Sequence, residues 1–214
     1  MKSREASVTN VPQDHTDHLN QIGLERLVFF SDGVFAIAIT LLALEIRLPA
    51  GENILSENEM LQAMLGLGQH YLGYFISFLA IGVFWIAHHR KFRFIQRYDS
   101  RLLMLNLLLL MVVAFIPFPS SLISEYPNRT ATIFYALTMI LAAILFCLIW
   151  WYATWHNRLV DDKLDVRTRR RQFISPLLTG LVFTLSIAVA YIDADLAKFC
   201  WLLIIPAALF TNRD

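Results

Sequence analysis

The sequence predicts an all-α membrane protein, a polytopic bundle whose chain crosses the bilayer about six times. Of its 214 residues, 57% are hydrophobic and 16% are charged, whereas a soluble domain carries roughly 25% charged residues. The apolar residues collect in stretches of about 20, the length of helix that crosses a hydrocarbon core of about 30 Å. The charged residues lie in short blocks between these stretches, so no extramembrane domain is predicted.

Six apolar stretches follow a polar N-terminal arm, residues 1–24, and form a membrane unit, residues 25–214. The predicted spans are residues 27–48, 65–86 (with a helical continuation to 94), 102–123, 131–155, 173–192 and 196–210. The arm contains no apolar core segment of a signal peptide. Pro117 and Pro119 are predicted to bend the third span, and Pro176 to lie in the first turn of the fifth, where its missing N–H costs little. The sixth span is the shortest.

Basic residues collect in alternate loops, and this asymmetry predicts the orientation. The loop after the second span and the loop after the fourth carry Arg90, Lys91, Arg93, Arg97, Arg101, Arg158, Lys163, Arg167, Arg169, Arg170 and Arg171. These two loops, and therefore both termini, are predicted to face the cytoplasm. Aromatic residues are predicted to mark the two interfaces, with Trp150, Trp151, Tyr152 and Trp155 on the cytoplasmic side and Tyr191, Phe199 and Trp201 on the outer side.

The first span contains an ionisable residue, Asp32, about a turn and a half inside the apolar run. A carboxylate at this depth needs a partner or water. Two interpretations stay open: a structural carboxylate that caps or pins helices, or a group beside a water-filled path. Ser31 and Gly33 on either side permit close approach of backbones and favour the second interpretation.

An apolar stripe runs along the same helix. Its members recur at intervals of three and four residues: Phe30, Gly33, Ile37, Leu41, Leu44 and Leu48. Thr40 lies beside the stripe. Periodicity alone favours an ordinary packing seam between helices. The alternative is a stripe that faces the central axis of a symmetric oligomer, where copies of Ile37 form an apolar ring that gates by dewetting.

Several polar residues fall at one depth in the cytoplasmic part of the membrane. They are Arg26, Ser31, Asp32, His88, His89 and Asn106. Because an unsatisfied polar group in hydrocarbon costs several kcal/mol, we expect an interhelical hydrogen-bond network. Adjacent residues of a helix point about 100° apart, so His88 and His89 cannot share one metal ion.

Other classes of function have no support in the sequence. The net charge of +1 gives no reason to expect a nucleic-acid partner. Cys147 and Cys200 match neither a disulfide framework nor a zinc site. Phosphate-loop, metalloprotease and nucleophile-elbow motifs are absent. No enzyme activity, cofactor or fixed metal site is therefore predicted.

The first span, RLVFFSDGVFAIAITLLALEI at residues 26–46, resembles the prokaryotic branch of the transmembrane protein 175 potassium channels. That family is marked by RxxxFSDG, matched here by Arg26, Phe30, Ser31, Asp32 and Gly33. Softer matches are YFISFLAIGVFWIAHH in the second span, the region of Asn106, and PFPS near the end of the third.

The resemblance implies a homotetramer in the cell (inner) membrane, with the first helices around a central, potassium-permeable pore of modest selectivity. The hydrophobic constriction of the family carries over to Ile37, Leu41 and Leu44, and a threonine that contributes to selectivity in some members carries over to Thr40. The polar cluster around RxxxFSDG is implied to hold the helices in register.

Two other functions stay open beside a passive cation channel. One is a proton-coupled secondary transporter, or a proton-conducting channel, that uses Asp32. The other is a scaffold without transport. Transporters tend to have helices broken by glycine or proline near mid-membrane, and the first span has neither between Val34 and Leu48. This favours the channel.

Overall fold

A computed structural model describes residues 13–48 and 56–204 and is all-helical in these segments, as predicted. The α-helices are α1 (Gln13–Leu44), α2 (Glu57–Gly66), α3 (Gly68–Phe92), α4 (Ser100–Phe115), α5 (Pro117–Glu125), α6 (Arg129–Thr154), α7 (Val166–Ala190) and α8 (Ala194–Cys200). Short 3₁₀ turns follow α6 at Trp155–Asn157 and α8 at Trp201–Leu203. Within the described residues, 5 helical segments are long and apolar enough to cross a membrane.

The first five predicted spans coincide with these segments, although their ends differ. Helix α1 runs without a break through residue 24, the predicted boundary between arm and membrane unit. Helix α7 begins at Val166, so the arginines from Arg167 onward, predicted for the preceding loop, form its first two turns. The predicted sixth span, residues 196–210, is helical as far as it is described, and its residues 205–210 lie outside the described part.

Side-chain caps and one proline explain where the helices around the third and fourth spans start. Asp99 accepts the Leu102 N–H at 2.9 Å at the start of α4, and Asn128 accepts the Ala131 N–H at 3.0 Å at the start of α6. Such caps satisfy N–H groups that have no partner within the helix. The helix of the third span is interrupted beside its prolines, since α4 ends at Phe115 and α5 begins at Pro117.

The expectation for Pro176 was wrong. It lies inside α7, ten residues after the start of the helix, and not in the first turn. A proline there has no N–H to donate to the carbonyl four residues earlier, which is that of Gln172. The Nζ of Lys91 donates to this carbonyl at 2.9 Å. A side chain of α3 therefore replaces the backbone donor that α7 lacks.

Lys91 is a second correction, because it was assigned to a basic loop. It lies in the last turn of α3 and is 0% exposed. Its Nζ lies 5.6 Å from the centre of the Phe146 ring and 6.0 Å from that of Trp150. An ammonium group over aromatic faces is attracted by their π-electrons.

Two tryptophans predicted for the membrane interfaces are buried against other helices, while their depth in the membrane stays a prediction. Trp150 is buried and its Nε1 donates to the Arg169 carbonyl at 2.9 Å. Trp201 is buried, donates to Ser186 Oγ at 2.7 Å and stacks on Tyr135 with ring centres 4.6 Å apart. Both indole N–H groups donate to protein acceptors, so neither depends on water as a hydrogen-bond partner.

The two predicted cytoplasmic loops lie together at one end of the bundle. The N–H of Gln96 donates to the Leu159 carbonyl at 2.8 Å, and Asp99 accepts from the Tyr152 hydroxyl and from Arg158 Nε. Burial raises the pKa of the Asp99 carboxyl, but these hydrogen bonds and its helix cap outweigh burial and hold that pKa below its usual range. The side of the membrane that this end faces stays a prediction.

Helix α6 packs against α4, α5, α7 and α8. Helix α1 packs against α3, α4 and α5. Helix α1 and the α6–α7 pair therefore lie on different sides of the protomer.

Candidate pore helix and its polar support

Helix α1 has one face packed into its own protomer. The buried residues recur every three or four positions: Leu27, Ser31, Phe35, Ala38 and Leu42. Apart from Ser31 they are apolar, and they meet the sides of α3, α4 and α5. This spacing is that of one face of an α-helix, so the rotation of α1 about its own axis is fixed by packing.

The predicted stripe lies on the opposite face and has little contact with the rest of the protomer. Ile37 is 60% exposed, Leu41 39% and Leu44 61%. Phe30 and Gly33 of the stripe are exposed as well. Leu48, predicted as its last member, is exposed but lies beyond the end of α1 at Leu44. Thr40 is also exposed, and its hydroxyl donates to the Ile37 carbonyl at 2.9 Å. The stripe is therefore not a packing seam within the protomer, and it faces lipid or another copy of the chain.

Three of the polar residues predicted at one depth form a buried chain of hydrogen bonds between α1, α3 and α4. His88 Nε2 and Asn106 Oδ1 are 2.9 Å apart, and Asn106 Nδ2 donates to Ser31 Oγ at 3.0 Å. The Ser31 hydroxyl donates to the Leu27 carbonyl at 2.8 Å. None of the three side chains is more than 1% exposed. Because Asn106 Oδ1 is an acceptor, Nε2 of His88 carries the proton.

Ser31 and Asn106 each donate to one neighbour in this chain and accept from the other, and His88 donates to Asn106. The three side chains therefore fit together in only one arrangement of donors and acceptors. Aromatic rings hold His88 in place, with Phe92 stacked at 4.2 Å and Phe35 tilted at 5.6 Å between ring centres. The other ring nitrogen, Nδ1, is buried and has no hydrogen-bond partner among the described residues. Replacement of any one member leaves the others with unsatisfied polar atoms in a buried site.

Asp32 belongs to a separate contact. Its carboxylate accepts a hydrogen bond from Trp85 Nε1 at 2.8 Å, which joins α1 to α3. The ring of Trp85 lies 5.8 Å from that of His89, and both of these rings are exposed. Arg26 is exposed and makes no hydrogen bond with the described residues. The six residues thus divide into a buried chain, a partly exposed carboxylate–indole pair beside His89, and a separate arginine.

Sequence reasoning missed a second buried polar cluster in the other half of the bundle. Ser77 Oγ lies 2.8 Å from Ser120 Oγ and 3.0 Å from the Tyr135 hydroxyl. These hydroxyls join α3, α5 and α6. Serine and tyrosine are common in membrane spans, and the only available signal was that an isolated hydroxyl in hydrocarbon needs a partner.

Within the described ranges, no group of three or more His, Cys, Asp or Glu side chains is placed to hold a metal ion. The exposed stripe offers apolar side chains and backbone, and the buried chain offers neutral hydrogen-bonding groups.

The comparisons with known proteins agree on one family. A family model described as endosomal/lysosomal potassium channel TMEM175 matches residues 26–117. The chain is 37% identical over 183 residues to a potassium channel of Streptomyces collinus, covering 83% of this chain and 86% of that one. The crystal structure of a lysosomal potassium-selective channel TMEM175 homolog from Chamaesiphon minutus superposes with a TM-score of 0.77 at 33% identity, covering 89% of this chain and 99% of that one.

A more distant relative carries a different ion in its name. The endosomal/lysosomal proton channel TMEM175 of Gallus gallus is 32% identical over 146 residues, which are 65% of this chain and 29% of that protein. All of these relatives are ion channels and none is an enzyme.

Proposed function

The chain belongs to the TMEM175 family of potassium channels and is a multi-pass membrane protein, and from this premise we propose that it forms a homotetrameric, weakly selective, potassium-permeable channel lined by α1. Its pore constriction consists of rings of Ile37, Leu41 and Leu44, with Thr40 beside them. The channel lies in the cell (inner) membrane with both termini in the cytoplasm, the orientation favoured by the basic end of the bundle.

The exposed stripe of α1 carries this proposal. Lipid contact would also account for an exposed apolar face, so the stripe supports a pore only together with the family assignment. A four-fold axis then converts such a stripe into a pathway. Four copies of Ile37, at 60% exposure in the single chain, then close an apolar ring. Leu41 forms a further ring about one helical turn beyond Ile37, and Leu44 forms another about two turns beyond it.

Rings of this kind act on ions through hydration. A narrow apolar segment is poorly wetted, and an ion that enters it loses part of its water shell. Potassium holds its water less strongly than sodium, so the ring favours potassium without a binding site. This accounts for weak selectivity, since no ligand replaces the lost water.

The buried chain of Ser31, Asn106 and His88 supports the constriction from behind. Ser31 precedes Ile37 by six residues of one unbroken helix, so a rotation of α1 moves both. The chain has a single arrangement, and it therefore sets the angle at which Ile37 points away from the protomer. Asp32 and Trp85 add a second contact between α1 and α3.

The test is ion flux into proteoliposomes that contain the purified full-length protein, with potassium and then sodium gradients. We expect potassium flux down its gradient, and we expect Ile37→Asn to alter the potassium-to-sodium ratio because it wets the ring. Leu185→Asn is the matched control: Leu185 of α7 is 58% exposed but lies on an outer helix, so selectivity stays unchanged. Equal effects of the two substitutions, or none from Ile37→Asn, refute the assignment of the constriction.

The alternative is proton conduction or proton-coupled transport through Asp32, which the name of the chicken relative favours. Helix α1 continues unbroken to Leu44, unlike the interrupted helices of many transporters. The same liposomes separate the two functions. Flux that requires a proton gradient and disappears in Asp32→Asn supports the alternative, whereas flux down a potassium gradient alone supports the channel.

A further inference from the structure

An apolar groove of about 540 Å³ lies between α6 and α7. Its walls include Ala143, Cys147 and Trp151 of α6 and Leu177, Gly180 and Thr184 of α7. A Cβ atom at Gly180 would lie 3.3 Å from that of Ala143, so the floor of the groove is a close approach of the two helices. The volume falls in the range of about 300–1,000 Å³ that small-molecule sites occupy.

The length of the groove matches one leaflet of a membrane. Phe173 and Thr184 mark its two ends on α7, a separation of 11 residues or roughly 17 Å along a helix. Half of a hydrocarbon core of about 30 Å is about 15 Å. One acyl chain that begins at the interface therefore fits along the groove.

Two arginines stand at the mouth of the groove. Arg170 precedes Phe173 by three residues and Arg169 by four, which places both on the helix face that lines the groove. Arg170 is exposed. Arg169 donates through Nη2 to Asn157 Oδ1, while its Nε is buried and has no hydrogen-bond partner among the described residues.

Asp165, the N-cap residue of α7, directs its carboxylate at the backbone. It accepts the N–H groups of Arg167 and Thr168, both at 3.1 Å. Trp151 lines the groove near its mouth and is 49% exposed. An indole beside basic residues is typical of the headgroup region of a membrane.

The position of the groove separates it from the proposed pore. Helix α1 packs against α3, α4 and α5, whereas the groove lies between α6 and α7. In a tetramer closed around α1, the groove therefore faces lipid and not the axis. This outward placement rests on the proposed function, but the affinity of the groove for lipid can be measured without it.

We propose that the groove binds one anionic phospholipid, with an acyl chain between α6 and α7 and the phosphate against Arg169 and Arg170. The apolar walls select a chain, and the two cationic groups select a negative headgroup over a zwitterionic one. A positive charge close to an anionic headgroup contributes enough to change affinity about fivefold for each arginine.

The test is native mass spectrometry of the full-length protein in detergent, titrated with dioleoyl phosphatidylglycerol or dioleoyl phosphatidylcholine. We expect one phosphatidylglycerol per chain to be retained at concentrations where phosphatidylcholine is lost. Arg170→Gln weakens phosphatidylglycerol binding about fivefold, and Arg93→Gln, an exposed arginine directly after α3 at the same end of the bundle, leaves it unchanged. Thr184→Phe, which fills the exposed inner end of the groove, weakens both lipids.

Three outcomes overturn the proposal. Equal retention of the two lipids would show that the arginines do not select an anionic headgroup. An equal loss in Arg170→Gln and Arg93→Gln indicates general attraction to the basic end. Efficient disulfide cross-linking between chains through Leu177→Cys, in a chain with Cys147 and Cys200 replaced by serine, places a second copy of the protein in the groove. None of these results depends on ion flux, so failure here is distinguishable from failure of the channel proposal.

Discussion

Lys91 and Pro176 lie on different helices, yet the structure couples them through the Gln172 carbonyl. Pro176 provides no backbone donor for that carbonyl, and Lys91 Nζ donates to it at 2.9 Å. Lys91→Met keeps the apolar stem and removes the donor. Membrane helices tolerate an internal proline because neighbouring groups satisfy the freed carbonyl, and here the neighbour is one identified side chain.

The magnitude follows from the interactions that this substitution removes. A hydrogen bond from a charged group contributes about 1.5–3 kcal/mol, and a buried carbonyl left unpaired costs about 1–3 kcal/mol. The ammonium group over Phe146 and Trp150 adds about 0.5–2 kcal/mol. Part of this loss in stability is offset, because a buried ammonium group is unfavourably desolvated and the substitution removes it. We expect Lys91→Met to lower the free energy of unfolding by about 1–3 kcal/mol.

Pro176→Ala supplies the missing N–H, so the same carbonyl regains a partner within α7. In the Pro176→Ala background, Lys91→Met should lower the free energy of unfolding by about 1–2 kcal/mol less than it does with Pro176 present. This difference is the interaction energy of the double-mutant cycle. The assay is reversible unfolding in mixed detergent and SDS micelles, followed by tryptophan fluorescence for the four proteins of the cycle.

Lys198→Met is the matched control. Lys198 is also buried, at 2% exposure, but its Nζ bonds to Gln69 and Asp195, which do not involve α7. Lys198→Met should lower the free energy of unfolding by the same amount with proline or with alanine at position 176. The reasoning is refuted if Lys91→Met costs the same in both backgrounds, within about 0.5 kcal/mol.

Two further predictions concern the buried chain and the basic end. Asn106→Leu removes the acceptor of His88 Nε2 and should lower the free energy of unfolding by about 1–3 kcal/mol; adding His88→Phe should restore part of the loss, and a further loss would contradict the prediction. Because the folded-state pKa of Asp99 lies below its usual value of 3.8, its contribution to stability is present above that value and disappears as the pH falls through the folded pKa. Thermal unfolding between about pH 5 and pH 2 should therefore depend less on pH in Asp99→Asn, and an unchanged profile would contradict the role of Tyr152 and Arg158.

The number and order of the spans were largely predictable because they depend on local properties. A helix in hydrocarbon satisfies its own backbone, so apolar length alone indicates a span. The five apolar helices of the described residues and the break at Pro117 follow from this. The family assignment from the first span is confirmed by the comparisons, while the sixth span and the tetramer stay predictions.

The candidate site was predictable in composition and less so in its contacts. Depth along the spans selected Ser31, His88 and Asn106, which bond to one another. It also selected Arg26 and His89, which do not join that chain. Depth is a coordinate along the membrane normal, and it does not say which helix faces meet.

The sequence alone determined the class of protein, the approximate spans and the face of α1 that carries Ile37, because hydrophobicity and helical periodicity are properties of neighbouring residues. Only the tertiary structure decided the burial of Lys91, Trp150 and Trp201 and the place of Pro176 within α7. Each of these depends on a partner 15 or more residues away in the sequence. A lysine beside four arginines is predicted to stay in water, but inside the bundle Lys91 donates to the carbonyl that a distant proline leaves without its backbone donor.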